Sequence, residues 1–192
     1  SDVGDTRYSP VEFFYLKCLK EGAYIETNDP YVKYWDELEI DVSQDLDNQL
    51  NKVSYKGEHF GFPYFHGNDI PDDSFNAPDD FNYTKPVWGF QAHTAPLGID
   101  FYTGNMFPEK YKNGAFIAQR GSWNRSKKVG YRVLFAEFKD DEITSMEVFV
   151  DGWLDGETSL GRPSSVLMYD DGSLLVSDDT ANKIFKISYS VN

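Results

Sequence analysis

Three arginines, a histidine and two tryptophans give this sequence its chemistry. Trp88, His93, Arg120, Trp123, Arg125 and Arg132 fall between residues 88 and 132, on segments bounded by glycine and proline rather than on one amphipathic face. The stretch "RGSWNRS" (120–126) sets two of the arginines and an indole on a Gly/Ser/Asn turn between two strand-like runs. A guanidinium fork donates two parallel hydrogen bonds to a carboxylate and also stacks on π-systems, so a flat, aromatic polyanion is the ligand such a cluster suits. The same arginines can equally pair with surface Asp and Glu, where each pair contributes about 0–1 kcal/mol. His93 reads either as a base or as a hydrogen-bonded structural histidine, and His59 and His66 carry a weaker signal still. No HxH, HExxH or GxSxG occurs, the acidic clusters "PDDS", "APDD" and "DDG" read as solvated turns, and EF-hand spacing is absent. The residues by themselves therefore name no metal ligands.

The cluster stands against a strongly acidic background. The 192 residues carry 18 Lys+Arg and 32 Asp+Glu, a formal net charge of −14, which argues against nucleic acid and anionic membrane surfaces as partners. An anionic ligand needs a local basic pocket on such a chain. Cys18 is the only cysteine, so there is no intrachain disulfide framework and no CxxC site. No run reaches the ~18 apolar residues of a membrane span. The first residues, "SDVGDTRYSP", lack the basic and apolar regions of a signal peptide, which predicts a soluble chain that is mature, processed or a fragment.

Aromatics make up 17% of the residues, a content suited to half-buried strands and greater than a helical bundle needs. Ser9, Pro10 and Glu12 form a capping-box start and Gly22 a stop, so residues 10–21 are predicted helical. Residues 23–49 read as loops with one short strand. Residues 67–86 hold three of the nine prolines and many Asp and Asn, the composition of a long surface loop, and Asn82-Tyr83-Thr84 within it is a formal glycosylation sequon read as unused. After Pro86, short β-rich runs recur: "GAFIAQR", "YRVLFAEF", "ITSMEVFV", "PSSVLMY", "SLLVSD" and "KIFKISY". Asp171-Gly172 and the segment Asp178–Asn182 are predicted hairpin turns. Antiparallel meanders of ~40 residues describe propeller blades, and a sandwich gives the same pattern.

Three long motifs add a resemblance. "HTAPLGIDFYTGNMFPEKYKNGAFIAQRGSWNRSKKVGYRV" (93–133), "DGWLDGETSLGRPSSVLMYDDGSLLVSDDTANKIFKISY" (151–189) and "LNKVSYKGEHFGFPYFHG" (50–67) resemble the sorbosone dehydrogenase-like branch of the soluble sugar dehydrogenases that depend on pyrroloquinoline quinone, PQQ. The resemblance implies an all-β fold: part of a six-bladed β-propeller, about three blades over residues 50–192, preceded by a helical or irregular extension over residues 1–49. It implies PQQ, a tricyclic quinone with three carboxylates, held at the top of the channel with calcium (Ca2+), and hydride transfer from an aldose or aldehyde hydrate. By the same resemblance Arg125 is the first expected cofactor contact, Arg120 and Arg132 follow, and His93 and Arg162 of "GRPSS" line the same channel. The Trp123 indole is expected to pack against that pocket or a neighbouring blade. An extracytoplasmic location follows from the family too.

The sequence also departs from the family. "LDNQLN" places Asn48 and Gln49 where the family has metal-associated acids, Arg120 stands where it commonly has histidine, and no histidine matches its general base. These departures keep a second reading open, a non-catalytic propeller-derived assembly subunit, and the aromatic content keeps a carbohydrate-binding β module as a third. A partial propeller leaves open sheet edges and an apolar flank, which predicts extensive contact with another protein chain.

Overall fold

A computed structural model describes residues 48–67, 69–123 and 125–190 of the chain. The helix expected at 10–21 and most of the predicted N-terminal extension lie outside the described residues. Among the described residues the helical content is one 3₁₀ turn, Glu109–Tyr111, and the rest is strands and turns. The described part of the chain is all-β, as expected. It divides into two compact units, Ser1–Ala92 and His93–Asn192. The boundary drawn at residue 49 remains a proposal.

The described part of the first unit is held by short pairings and rings. Strand β1 (Asn48–Leu50) runs antiparallel to β4 (Trp88–Phe90), and β2 (Phe65–His66) pairs with β3 (Ile70–Pro71). The predicted surface loop is largely irregular, yet its Phe81 and Tyr83 lie nearly parallel to Phe65, at 6.0 and 5.1 Å between centroids. Those ring contacts substitute for the ladder that a segment with three prolines cannot form. Glu58 ties the end of that loop to the turn after β1, accepting from the Ser54 amide at 2.7 Å and the Thr84 hydroxyl at 2.8 Å, and the amide bond leads in holding its carboxyl below the ordinary value.

The second unit contains two meanders. One sheet has the order β5 (Pro96–Phe101), β6 (Ala115–Gln119), β7 (Arg132–Lys139), β8 (Glu142–Val150), all antiparallel. After the small pair β9 (Leu154–Asp155) and β10 (Thr158–Ser159), a second sheet runs β11 (Pro163–Met168), β12 (Leu174–Asp178), β13 (Lys183–Ile187). β6 reads "AFIAQ" without alternation because both its faces are buried, whereas the outer β8 reads "EITSMEVFV" and is largely exposed. Phe116, Ala118, Val133 and Phe135 of the first sheet form one core with Val166, Leu174 and Val176 of the second. Both hairpin turns occur where the sequence places them: Gly172 takes φ +84° after Asp171, and Asp178 Oδ1 accepts from the amides of Thr180 and Ala181.

The Asp171 turn is acid-sensitive. The Lys186 ammonium, 2.5 Å away, and the Ser173 hydroxyl and amide hold the Asp171 carboxyl well below its ordinary value of 3.8. A depressed carboxylate contributes stability that is fully present above its unfolded value and is lost as pH falls through the lower folded value. Wild-type protein is therefore expected to be more stable than Asp171→Asn near neutrality, with the gap in melting temperature closing below about pH 4. A gap that persists at low pH would contradict this assignment.

Candidate functional site

The register of the two sheets gathers the basic residues at one end of the second unit. Pro96 pairs with Gln119 and Gln119 with Arg132, so the start of β5, the end of β6 and the start of β7 lie together. Pro163 pairs with Asp178 and Asp178 with Lys183, which sets Arg162 beside the β12–β13 turn. Two contacts join the sheet ends: Arg120 Nε donates to Asp179 Oδ2 at 2.8 Å, and Arg162 Nη2 donates to the Ser122 carbonyl at 2.9 Å. Arg120, Arg132, Arg162 and the loop bearing Arg125 thus share one end.

That loop is pinched at its base. The Ser122 amide donates to the Val129 carbonyl at 2.9 Å and the Val129 amide to Ser122 Oγ at 3.1 Å, so the described residues between them, 123 and 125–128, belong to an excursion closed at its base. Gly121 makes the pinch possible: it takes φ +94°, and a Cβ there would overlap the Tyr131 ring. Tyr131, 1% exposed, donates from its hydroxyl to the Ser122 carbonyl and accepts from Arg162 Nη2 at 3.0 Å, with the Arg162 guanidinium 5.2 Å from the ring centroid. The segment before β5 is stitched to the same place, since the carbonyls of Thr94 and Ala95 accept from the amides of Gly121 and Arg120. His93 opens that segment, half-buried and at φ +65°.

Each expected site residue has a distinct setting. Arg120 is largely buried and ion-paired. Arg132 Nε donates to Gln119 Oε1 at 2.8 Å, and burial pushes its guanidinium below the ordinary arginine value while Asp151 opposes that shift. Arg162 binds the loop's own carbonyl and hydroxyl through Nη2, so that part of it positions the loop. Arg125 lies half-buried in the excursion. Trp123, expected to pack, is instead 62% exposed, because the pinch turns the residue after Ser122 outward. His59 and His66 belong to the first unit, where His59 Nδ1 accepts from the Gly61 amide and His66 Nε2 meets Asp72 Oδ2 at 3.0 Å.

Sequence reasoning passed over Tyr131, Ser122, Asp151, Asp178 and Asp179. The only textual signal for the two last was that acids flank the end of a predicted strand, which also describes a solvated turn. Gly161 packs so closely that a Cβ would overlap the carboxylate of Asp178, itself 3% exposed, and stand 2.9 Å from Trp153 Cδ1. Asp178 Oδ2 and Trp153 Nε1 are both buried without a hydrogen-bond partner.

The metal expectation fares differently. Gln49 and Asn51, 2% and 7% exposed, carry buried amide atoms without partners, namely Gln49 Oε1 and Nε2 and Asn51 Oδ1. They are neutral, and hard cations such as calcium require an array of oxygen ligands that usually includes carboxylates. Among the described residues no group of three or more His, Cys, Asp or Glu is placed to hold a metal ion. Among them, too, no helix is long and apolar enough to cross a membrane.

A family model described as TrAA12-like matches residues 71–190. An uncharacterized protein of Borreliella burgdorferi is 40% identical over 147 residues, covering 74% of this chain and 39% of that protein. The chain therefore spans about two fifths of the length of the curated relative it matches. Among solved structures, the soluble aldose sugar dehydrogenase of Escherichia coli, in its apo form, is 21% identical with a TM-score of 0.53, over 74% of this chain and 38% of that one. The calcium structure of a Trichoderma reesei protein of Carbohydrate-Active Enzymes Family AA12 is 22% identical with a TM-score of 0.52, over 73% and 41%. These likenesses show the fold, the β-propeller of sugar dehydrogenases, of which this chain holds a part.

Proposed function

The chain belongs to the TrAA12-like family, and from that premise we propose that it supplies the cofactor-carboxylate-binding portion of a PQQ-dependent sugar or aldehyde dehydrogenase. The observation that carries this reading is the gathering of Arg120, Arg132, Arg162 and the loop bearing Arg125 at one end of the two sheets, joined through Arg120 to Asp179 and Arg162 to Ser122. An acidic chain that holds Arg120 largely and Arg132 partly out of water, with Arg125 on the loop at the same end, offers partly desolvated cations where carboxylates are recognised strongly. These donors fit the carboxylate-bearing rim of such a cofactor.

When bound, PQQ supplies the redox chemistry, taking up hydride from a hydroxyl-bearing sugar carbon. Arg125 and Arg120 would hold its carboxylates, and Asp179 fixes the Arg120 side chain so that little rotamer freedom would be lost on binding. Arg162 and Tyr131 keep the loop in register. No step is assigned to calcium, because the described residues do not fit it. The substrate hydroxyl proton is not assigned to His59 or His66, which are engaged by Gly61 and Asp72. The whole dehydrogenase, its sugar substrate and its extracytoplasmic setting belong to the proposal.

The test is titration of the purified chain with PQQ followed by absorbance, and then dye reduction with aldoses. Saturable binding weakened at least about tenfold by Arg125→Ala and by Arg120→Ala is expected, against no change for the distant Asp140→Asn. Absence of saturable binding, or equal binding by all variants, sinks the reading.

A further inference from the structure

The short hairpin between the two sheets of the second unit reaches the loop that carries Arg125. Its strands β9 and β10 pair Leu154 with Ser159 and Asp155 with Thr158, so Gly156 and Glu157 form a two-residue turn, which Gly156 opens at φ +56°. The base of the hairpin is rooted in the core, where the carbonyl of Trp153, 6% exposed, accepts from the Leu160 amide at 2.9 Å. At the tip, Glu157 Oε2 accepts from the Lys128 amide at 2.9 Å, and the Glu157 carbonyl accepts from the Lys128 ammonium. Just past the base, Arg162 donates to the Ser122 carbonyl. Ser122 enters the loop and Lys128 leaves it, so the segment from Trp153 to Arg162 grips both of its limbs.

We propose that Glu157 is a positioning residue for the candidate cofactor site, acting through Lys128 to fix the path of the loop that presents Arg125; the inference rests on the function proposed above. The two bonds between Ser122 and Val129 close the loop at one place, about which the excursion could still pivot. The bond at Lys128 lies inside the excursion and adds a second point, and two points fix a direction where one does not. Arg125 is three residues from Lys128, so a shift of that limb passes to its guanidinium. The bond joins an amide to a carboxylate, which makes it stronger than a neutral pair. A loop already held in its binding path also loses less freedom when a ligand arrives. Glu157 itself is exposed and outside the core, so its carboxylate can be removed without disturbing the sheets.

The test compares Glu157→Ala and Glu157→Gln with wild type, with Asp155→Ala, exposed on the same hairpin, as reference. Tryptic cleavage after Arg125, Lys127 or Lys128, followed by mass spectrometry on cofactor-free protein, reads the loop, and titration with PQQ reads the site. Glu157→Ala is expected to speed that cleavage about tenfold and to weaken PQQ about tenfold, at an unchanged denaturation midpoint. Glu157→Gln keeps an acceptor for the amide and should stay within about threefold of wild type on both readouts, as should the reference. Unchanged cleavage in Glu157→Ala overturns the proposal whether or not PQQ binds. Faster cleavage with undiminished PQQ affinity overturns it too, as does a denaturation midpoint that falls in step with the cleavage. A wild-type chain without saturable PQQ binding sinks the function proposed above, and the cleavage rates then decide by themselves whether Glu157 holds the loop.

Discussion

Tyr131→Ala is expected to cost about 3–5 kcal/mol of stability, the range for removing a large buried ring, and to abolish saturable PQQ binding although no arginine is changed. The ring is 1% exposed and sits against Gly121, beneath the Arg162 guanidinium. Its hydroxyl joins the Ser122 carbonyl to Arg162 Nη2. Tyr131→Phe separates the two roles. It keeps the ring, and the Ser122 carbonyl keeps Arg162 as donor, so the loss falls to about 1 kcal/mol. Chemical denaturation of both variants, with the binding titration run below their midpoints, checks the pair. Equal stabilities for the two variants would mean that the ring does not hold the loop.

Gly161→Ala is the second change with a large expected effect, about 3 kcal/mol, combining a core overlap with the loss of two capping hydrogen bonds. The new methyl would overlap Asp178 Oδ2 and press on Trp153, and Asp178 is the residue whose Oδ1 holds the amides of Thr180 and Ala181. Moving that turn moves Asp179, the partner of Arg120, so PQQ affinity should fall together with stability. Asp178→Asn keeps an acceptor at Oδ1 and should be milder on both counts. A Gly161→Ala protein of wild-type stability would show that the turn yields freely, and would remove Asp178 from the site.

The meanders were legible because alternation and turn chemistry are local: "MYDDGSLLV" specifies a hairpin wherever it occurs, and Asp171 and Gly172 lie at its turn. β6 was legible as a strand, but its burial on both faces was not, because coverage depends on what stacks against it. The arginines were visible by type, while their division of labour was not. Arg162 reads like Arg125 in the sequence, and only the fold brings Ser122 and Tyr131 to it across 40 and 31 residues. Asp179 stayed hidden for the same reason, since its partner Arg120 lies 59 residues away. Asn48 and Gln49 were visible in the sequence as neutral amides, and the structure adds that the Gln49 amide atoms, and Oδ1 of nearby Asn51, are buried without hydrogen-bond partners.

The pinch between Ser122 and Val129 has a consequence on an evolutionary timescale. Because the excursion closes on itself before it reaches β6 or β7, its tip can be lengthened, shortened or rewritten without shifting the pairing of Gln119 with Arg132. Mutational drift between Trp123 and Lys127 is thereby uncoupled from that pairing, while Lys128 stays tied to Glu157 through its amide and ammonium, and a lineage that kept Gly121, Ser122, Lys128, Val129 and Tyr131 could exchange one ligand for another while inheriting the same sheets.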